Sequence, residues 1–91
     1  MNSLPKVAEG VSFLILHYGD YRLTEMAVRY LAELDGIEKC NIVIVDNGTN
    51  SVAKLENMFR DSILSIIILN LEKNMGFSKG NNYGWRYCRD K

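Results

Sequence analysis

Net charge is missing from this sequence: eleven lysines and arginines balance eleven aspartates and glutamates across 91 residues. Binding nucleic acid through charge needs a basic surface, so the balance argues against that class of partner. Cysteine is scarce. Cys40 and Cys88 are too few for a disulfide framework, and reduced, half-buried thiols of a cytosolic chain are the expectation. His17 is the only histidine, and no paired metal-ligand spacing accompanies it. No apolar run approaches the ~20 residues of a membrane span, and Met1-Asn2-Ser3-Leu4-Pro5-Lys6 lacks the apolar core of a signal peptide. Three nucleotide- and signal-binding motifs are absent as well. The turn His17-Tyr18-Gly19-Asp20-Tyr21-Arg22 has no G-x-G-x-x-G, and Lys79-Gly80 reverses the Gly-Lys order of a P-loop. The first apolar run ends without the acidic pair of a receiver-like domain.

Apolar residues make up 47% of the chain, which indicates a globular domain, and the length allows one small one. Three runs read as strands: about Val11 to Leu16, Asn41 to Asp46 and Ser65 to Asn70. Each is continuously apolar rather than alternating, as expected of strands covered on both faces. Helical segments alternate with them. Asp20 can cap the first, in which Leu23, Met26, Ala27, Tyr30, Leu31 and Leu34 fall at helical spacing as one apolar stripe. Gly36 suits its stop. A short helix near Ser51 to Arg60 turns Val52, Leu55, Met58 and Phe59 inward, and a third starts near Lys79 and runs to the C-terminus. Three βα units imply a three-layer α/β/α domain, a half-Rossmann parallel sheet of order 3-2-1 joined by right-handed crossovers.

The chemistry-bearing residues lie where these strands end. Ligands of open α/β sheets bind beyond the C-terminal ends of the strands. Asn74-Met75-Gly76-Phe77-Ser78-Lys79-Gly80-Asn81-Asn82-Tyr83-Gly84 follows the third strand. Its glycines let backbone approach a ligand, and its asparagines offer uncharged donors and acceptors. Gly76, Gly80 and Gly84 recur every four residues, forming a smooth helix face that can lie against the sheet or a flat ligand. Asp46 ends the second strand within Val45-Asp46-Asn47-Gly48-Thr49. As a carboxylate it is an acceptor aimed at the crevice; as part of Asp-Asn-Gly-Thr it can instead bond its own turn. Asn81 and Asn82 sit at or inside the third helix, where asparagine is unfavourable; they read as ligand contacts or as part of a cap. Lys79 opposes the helix dipole, with a phosphate contact and a solvated side chain as its two readings. His17 without a partner reads as structural. Tyr21, Tyr30, Tyr83, Trp85 and Tyr87 read as core or cover.

Together the three strand-end segments resemble the nucleotide-binding half of the family 2 glycosyltransferases, which have the GT-A fold. Asn74 to Asn82 carries the family's Asn-x-Gly-Phe-x-x-Gly-Asn-Asn pattern intact, and Val45 to Thr49 its Val-Asp-Asn-Gly-Ser/Thr. His17-Tyr18-Gly19-Asp20 is a looser form of the first turn. The resemblance covers roughly residues 9 to 90 and is strongest to the subset that transfers deoxysugars such as rhamnose. It implies a UDP- or dTDP-sugar donor held by Leu16, His17, Tyr18, Asp46, Gly76, Gly80, Asn81 and Asn82. Asp46 would accept N3–H of a uracil or thymine base, and Asn82 would reach the nucleoside. The full-length family transfers a sugar to an acceptor hydroxyl with inversion, using Mg or Mn, in cell-surface polysaccharide synthesis. It is cytoplasmic or peripheral to the inner membrane.

The family's Asp-x-Asp metal motif and its general base, a carboxylate, do not appear in these 91 residues. A metal neutralises the departing diphosphate in such chemistry, so the expectation is donor recognition with no catalytic residue and no cofactor in this chain. An excised piece of a longer enzyme, a short remnant, and a non-catalytic α/β module that binds nucleotide or itself remain open. An unpaired edge on the first strand adds the expectation of a homo-oligomer.

Overall fold

A computed structural model describes residues 10–89. Three parallel strands, β1 (Ser12–His17), β2 (Asn41–Asn47) and β3 (Ser65–Leu71), form one sheet of order β1-β2-β3. This is the expected 3-2-1 order read from the other edge. The helices α1 (Tyr21–Ala32), α2 (Val52–Met58) and α3 (Gly76–Arg89) alternate with the strands, and a 3-10 turn covers Ile37–Lys39. The fold is α/β and Rossmann-like.

Strand burial follows from position in the sheet. In β2, between two neighbours and under helices on both faces, Ile42 through Asn47 are all buried. β1 and β3 are the two edges, and most of their residues are half-buried. The pairing register sets Leu14 beside Val43, Ile15 beside Ile44 and His17 beside Asp46; across β2, Ile44 meets Ile68 and Asn47 meets Leu71. Since side chains alternate faces along a strand, these pairs divide the sheet into two surfaces. On one, Phe13, Ile15, Ile42, Ile44, Ile66 and Ile68 pack with Val28 and Leu31 of α1 and Leu55 of α2. On the other, Leu14, Leu16 and Val45 meet α3.

The two surfaces are closed differently. On the α3 side the helix presents glycine. A Cβ placed on Gly80 would sit 3.0 Å from Leu16 Cδ2, and one on Gly84 would reach 2.3 Å from Leu14 Cδ1 and 3.0 Å from Val45 Cγ2. Gly80 and Gly84 are accordingly the buried residues of α3. The spacing of Gly80 and Gly84 thus serves close helix–sheet packing, whereas Gly76, expected on the same face, is exposed and a Cβ on it would meet nothing. α3 lies over β1 and β2, so the same face of β3, with Ile67, Leu69 and Leu71, is only half-buried.

Several boundaries and one face differ from expectation. α3 begins at Gly76, three residues earlier than Lys79, because Asn74 Oδ1 accepts a hydrogen bond from Gly76 N (2.7 Å) and starts the turn there. β1 reaches His17 rather than ending at Leu16, and α2 is a turn shorter than Ser51 to Arg60. Asp20 caps α1 as its sequence suggests, accepting from Arg22 N (3.0 Å) and Leu23 N (3.4 Å). α1 nevertheless stops at Ala32, and Gly36 instead opens the 3-10 turn with φ 90°. Its buried side consists of Thr24, Val28 and Leu31. The expected stripe is split: Leu31 is buried and Ala27 and Leu34 half-buried, whereas Leu23, Met26 and Tyr30 are 63%, 57% and 64% exposed. Periodicity alone placed the stripe between these two faces. The inward face packs Val28 and Leu31 into the core and brings Thr24 to His17.

Candidate functional site

Leu16, His17, Tyr18, Asp46 and Gly76 lie at the C-terminal rim of the sheet, where the strands lead into the helices, and Gly80, Asn81 and Asn82 follow along α3; Tyr87 and Cys88 lie at the opposite end, beside Ser12 and Asn41. The sheet divides these residues into two groups, one on each face.

On the α1–α2 face, Asp46 is fully buried and organises the loop that follows β2. Its Oδ1 accepts from Thr49 N (3.0 Å) and from the Thr49 hydroxyl; its Oδ2 accepts from Ser51 N (2.6 Å). A carboxylate offers about four acceptor positions, so one remains on Oδ2. The loop is stitched further by Thr49 Oγ1 and Ser51 Oγ (2.7 Å), and Tyr21 donates to Ser51 Oγ (3.0 Å). Gly48 and Asn50 adopt left-handed φ of 78° and 55° to close the turn. The turn-forming role of Asp46 is thus visible in the geometry, and with the side chain fully buried a ligand reaches the remaining acceptor position only if the loop moves.

His17, the register neighbour of Asp46, is also fully buried. Its Nδ1 lies 2.7 Å from Thr24 Oγ1, and its ring is tilted against Tyr21 at 4.9 Å. Nε2 is buried with no hydrogen-bond partner. Burial lowers the imidazole pKa from its ordinary value, opposed by the negative charges of Asp46 and Asp20. The structural reading of His17 fits this setting. Tyr18, one residue on, is exposed at the rim, and Gly19 brings the β1–α1 loop against the Thr49 methyl at 3.7 Å to the position of a Cβ.

On the α3 face, Leu16 lies beneath Gly80. Asn47, which sequence reasoning left out of the site, is buried there and holds the start of α3. Its Oδ1 accepts from Met75 N (3.0 Å) and its Nδ2 donates to Gly76 O (3.3 Å). Gly48 completes this link, since its backbone touches that of Lys73 and Asn74 so closely that a Cβ would fall 2.2 Å from Asn74 N. Asp46-Asn47-Gly48 is therefore one unit: the first residue builds its own loop, the second ties down the next, and the third permits the contact between them. Nothing in the linear sequence marks Asn47 as the link, because its partners lie 28 and 29 residues away.

Asn81 and Asn82 point along different flanks of α3, as consecutive helical residues must. Asn81 is half-buried and Asn82 exposed, and neither side chain has a hydrogen-bond partner among the described residues. Asn82 lines a groove with Leu71, Met75, Lys79, Tyr83 and Arg86. Tyr83 is thus an exposed wall of that groove rather than core; Trp85 and Tyr30 are exposed too. Cys40 is buried, its thiol directed at Gly36 O (3.5 Å), and Cys88 is half-buried; neither is in a disulfide among the described residues. Among the described residues no three His, Cys, Asp or Glu side chains group to hold a metal ion, and no helix is long and apolar enough to cross a membrane.

No protein-family model matches the chain, and no curated protein or solved structure matches it either.

Proposed function

We propose that this chain recognises the nucleotide of a UDP- or dTDP-sugar, as the donor-binding part of a glycosyltransferase similar to family 2. One observation carries the reading. Three sequence motifs that resemble that family, separated by some 25 to 30 residues each, meet on one rim of a parallel sheet, the rim at which such sheets take ligands. In this reading the N3–H of the pyrimidine takes the acceptor position of Asp46 that Thr49 and Ser51 do not use, and the β2–α2 loop shifts to admit it, since the carboxylate is fully buried here. Tyr18 and the Gly19 turn flank the base, and the phosphates extend toward α3. Sugar transfer itself, with Mg or Mn and a general base, belongs to the full-length family; nucleotide binding by this chain needs no metal.

Calorimetric titration with UDP, dTDP and ADP tests this. UDP and dTDP should bind and ADP should not. Asp46→Ala should weaken UDP binding about ten- to a hundredfold, the effect of losing a hydrogen bond to a charged acceptor. Thr49→Val loosens the same loop but keeps the carboxylate, so it should leave UDP binding within a few-fold. Equal binding of UDP and ADP, or equal losses in both variants, would refute the proposal.

A second reading, a non-catalytic module that associates with itself, is favoured by the two sheet edges, unpaired among the described residues, and by exposed Leu23, Met26 and Tyr30 on α1.

A further inference from the structure

The groove beside α3 has a composition that the packing of the fold does not require. α3 covers β1 and β2, leaving a trough of about 380 Å³ between its outer flank and the end of β3. Its floor is apolar, from Leu71 and Met75; its helical wall carries Lys79, Asn82, Tyr83 and Arg86. These four fall at i, i+3, i+4 and i+7 and so share one flank of the helix. A volume of this size lies within the range of small-molecule sites, which combine an apolar floor with a few convergent polar groups.

Two features separate this flank from an ordinary solvated helix face. First, the groove lining carries charge of one sign in a chain whose total is zero: among the described residues the side chains of Lys79 and Arg86 have no acidic partner, and those of Asn82 and Tyr83 form no hydrogen bond. Exposed helix faces usually alternate charge, since i,i+4 pairs of opposite sign stabilise them. Second, Lys79 occupies the first turn of α3, where a cation opposes the helix dipole. The position disfavours lysine for helix stability and suits it for an anion.

We infer that this groove binds the phosphate groups of a small phosphorylated ligand, with Lys79 and Arg86 as its two cationic contacts and Asn82 and Tyr83 between them. Seven helical residues set the two α-carbons about 10 Å apart along the axis, and both side chains are long enough to converge on a diphosphate. Arg86 offers a planar fork of donors and Lys79 a compact charge. Met75, Leu71 and the ring of Tyr83 provide the surface for whatever the phosphates carry. If the donor reading is right, that ligand is the nucleotide sugar, and α3 takes its diphosphate. The cation pair itself does not depend on that reading.

The test is calorimetry on the whole chain with inorganic pyrophosphate, UDP and uridine, comparing the native protein with the Lys79→Met/Arg86→Met double variant and with Arg29→Met. The last removes a cation from α1, in the opposite layer, and controls for general charge. Both groove cations are exposed, so circular dichroism should show the double variant folded. Pyrophosphate should bind the native chain and Arg29→Met alike, and bind the double variant at least about tenfold more weakly, as expected for losing charge-assisted contacts. UDP binding should fall in the double variant to the level of uridine. If pyrophosphate fails to bind the native chain, or binds all three proteins equally, the inference is wrong. UDP binding that ignores both cations also overturns it while leaving the donor proposal intact. Pyrophosphate binding through Lys79 and Arg86, with no UDP binding beyond it, upholds the groove and rejects the donor proposal.

Discussion

Gly48→Ala is the most informative single change in this fold. The residue has φ 78°, and an added Cβ would lie 2.2 Å from Asn74 N, 2.2 Å from Lys73 C and 2.6 Å from Lys73 Cα. All three are backbone atoms, so no rotamer change relieves the clash; the whole β3–α3 loop has to retreat. Left-handed φ costs alanine about 1–2 kcal/mol. Retreat of the loop breaks the two hydrogen bonds by which Asn47 holds Met75 and Gly76, each worth about 1 kcal/mol. Reduced freedom of the unfolded chain returns about 0.4–1 kcal/mol. The net loss is about 3 kcal/mol, a large share of the roughly 5–14 kcal/mol expected for a chain of this length. Gly76→Ala is the internal control. It has φ 80° but nothing within 4 Å of the added Cβ, so only the conformational cost of about 1 kcal/mol applies. Urea titration followed by far-ultraviolet circular dichroism gives both values. In a double-mutant cycle, Asn47→Ala and Gly48→Ala should be sub-additive, since both break the same link. If Gly48→Ala costs no more than Gly76→Ala, the β2–α2 loop does not anchor α3 and the coupling of the two loops is refuted.

Burial of neutral His17 makes stability depend on pH. Its folded pKa lies below the ordinary value of 6.5, so below about pH 6.5 the unfolded chain takes up a proton that the folded chain does not. Stability is full above that pH and declines as pH falls toward the folded value. The melting temperature should therefore drop between pH 7.5 and 5.5 in the native protein and drop less in His17→Gln; equal drops would remove His17 as the cause. The open edges of β1 and β3 and the exposed Leu23, Met26 and Tyr30 should produce self-association at micromolar concentration. Sedimentation velocity reads it directly, and a monomer whose sedimentation coefficient is independent of concentration would exclude it.

The sequence by itself determined the order and type of the elements. Three continuous apolar runs alternating with helical segments admit little besides a parallel sheet covered on both faces, and the protein has that sheet in that order. The cap at Asp20 and the glycine face at Gly80 and Gly84 were also legible, because each depends on residues a few positions apart. Tertiary structure decided what local pattern left open. α1 had two overlapping faces at helical spacing, and a single contact between Thr24 and His17, seven residues apart, accompanies the choice that leaves Leu23, Met26 and Tyr30 in solvent. Asp46 and Asn47 are adjacent in the chain yet face opposite sides of the sheet, because alternate residues of a strand point opposite ways. One closes its own loop and the other holds a loop 28 residues on. Asn81 and Asn82 are parted likewise by the turn of a helix, which puts Asn82 with Lys79, Tyr83 and Arg86 in a groove floored by Leu71 at the end of β3. Secondary structure is set by neighbours along the chain; a site is set by which residues the packing of separate elements brings face to face.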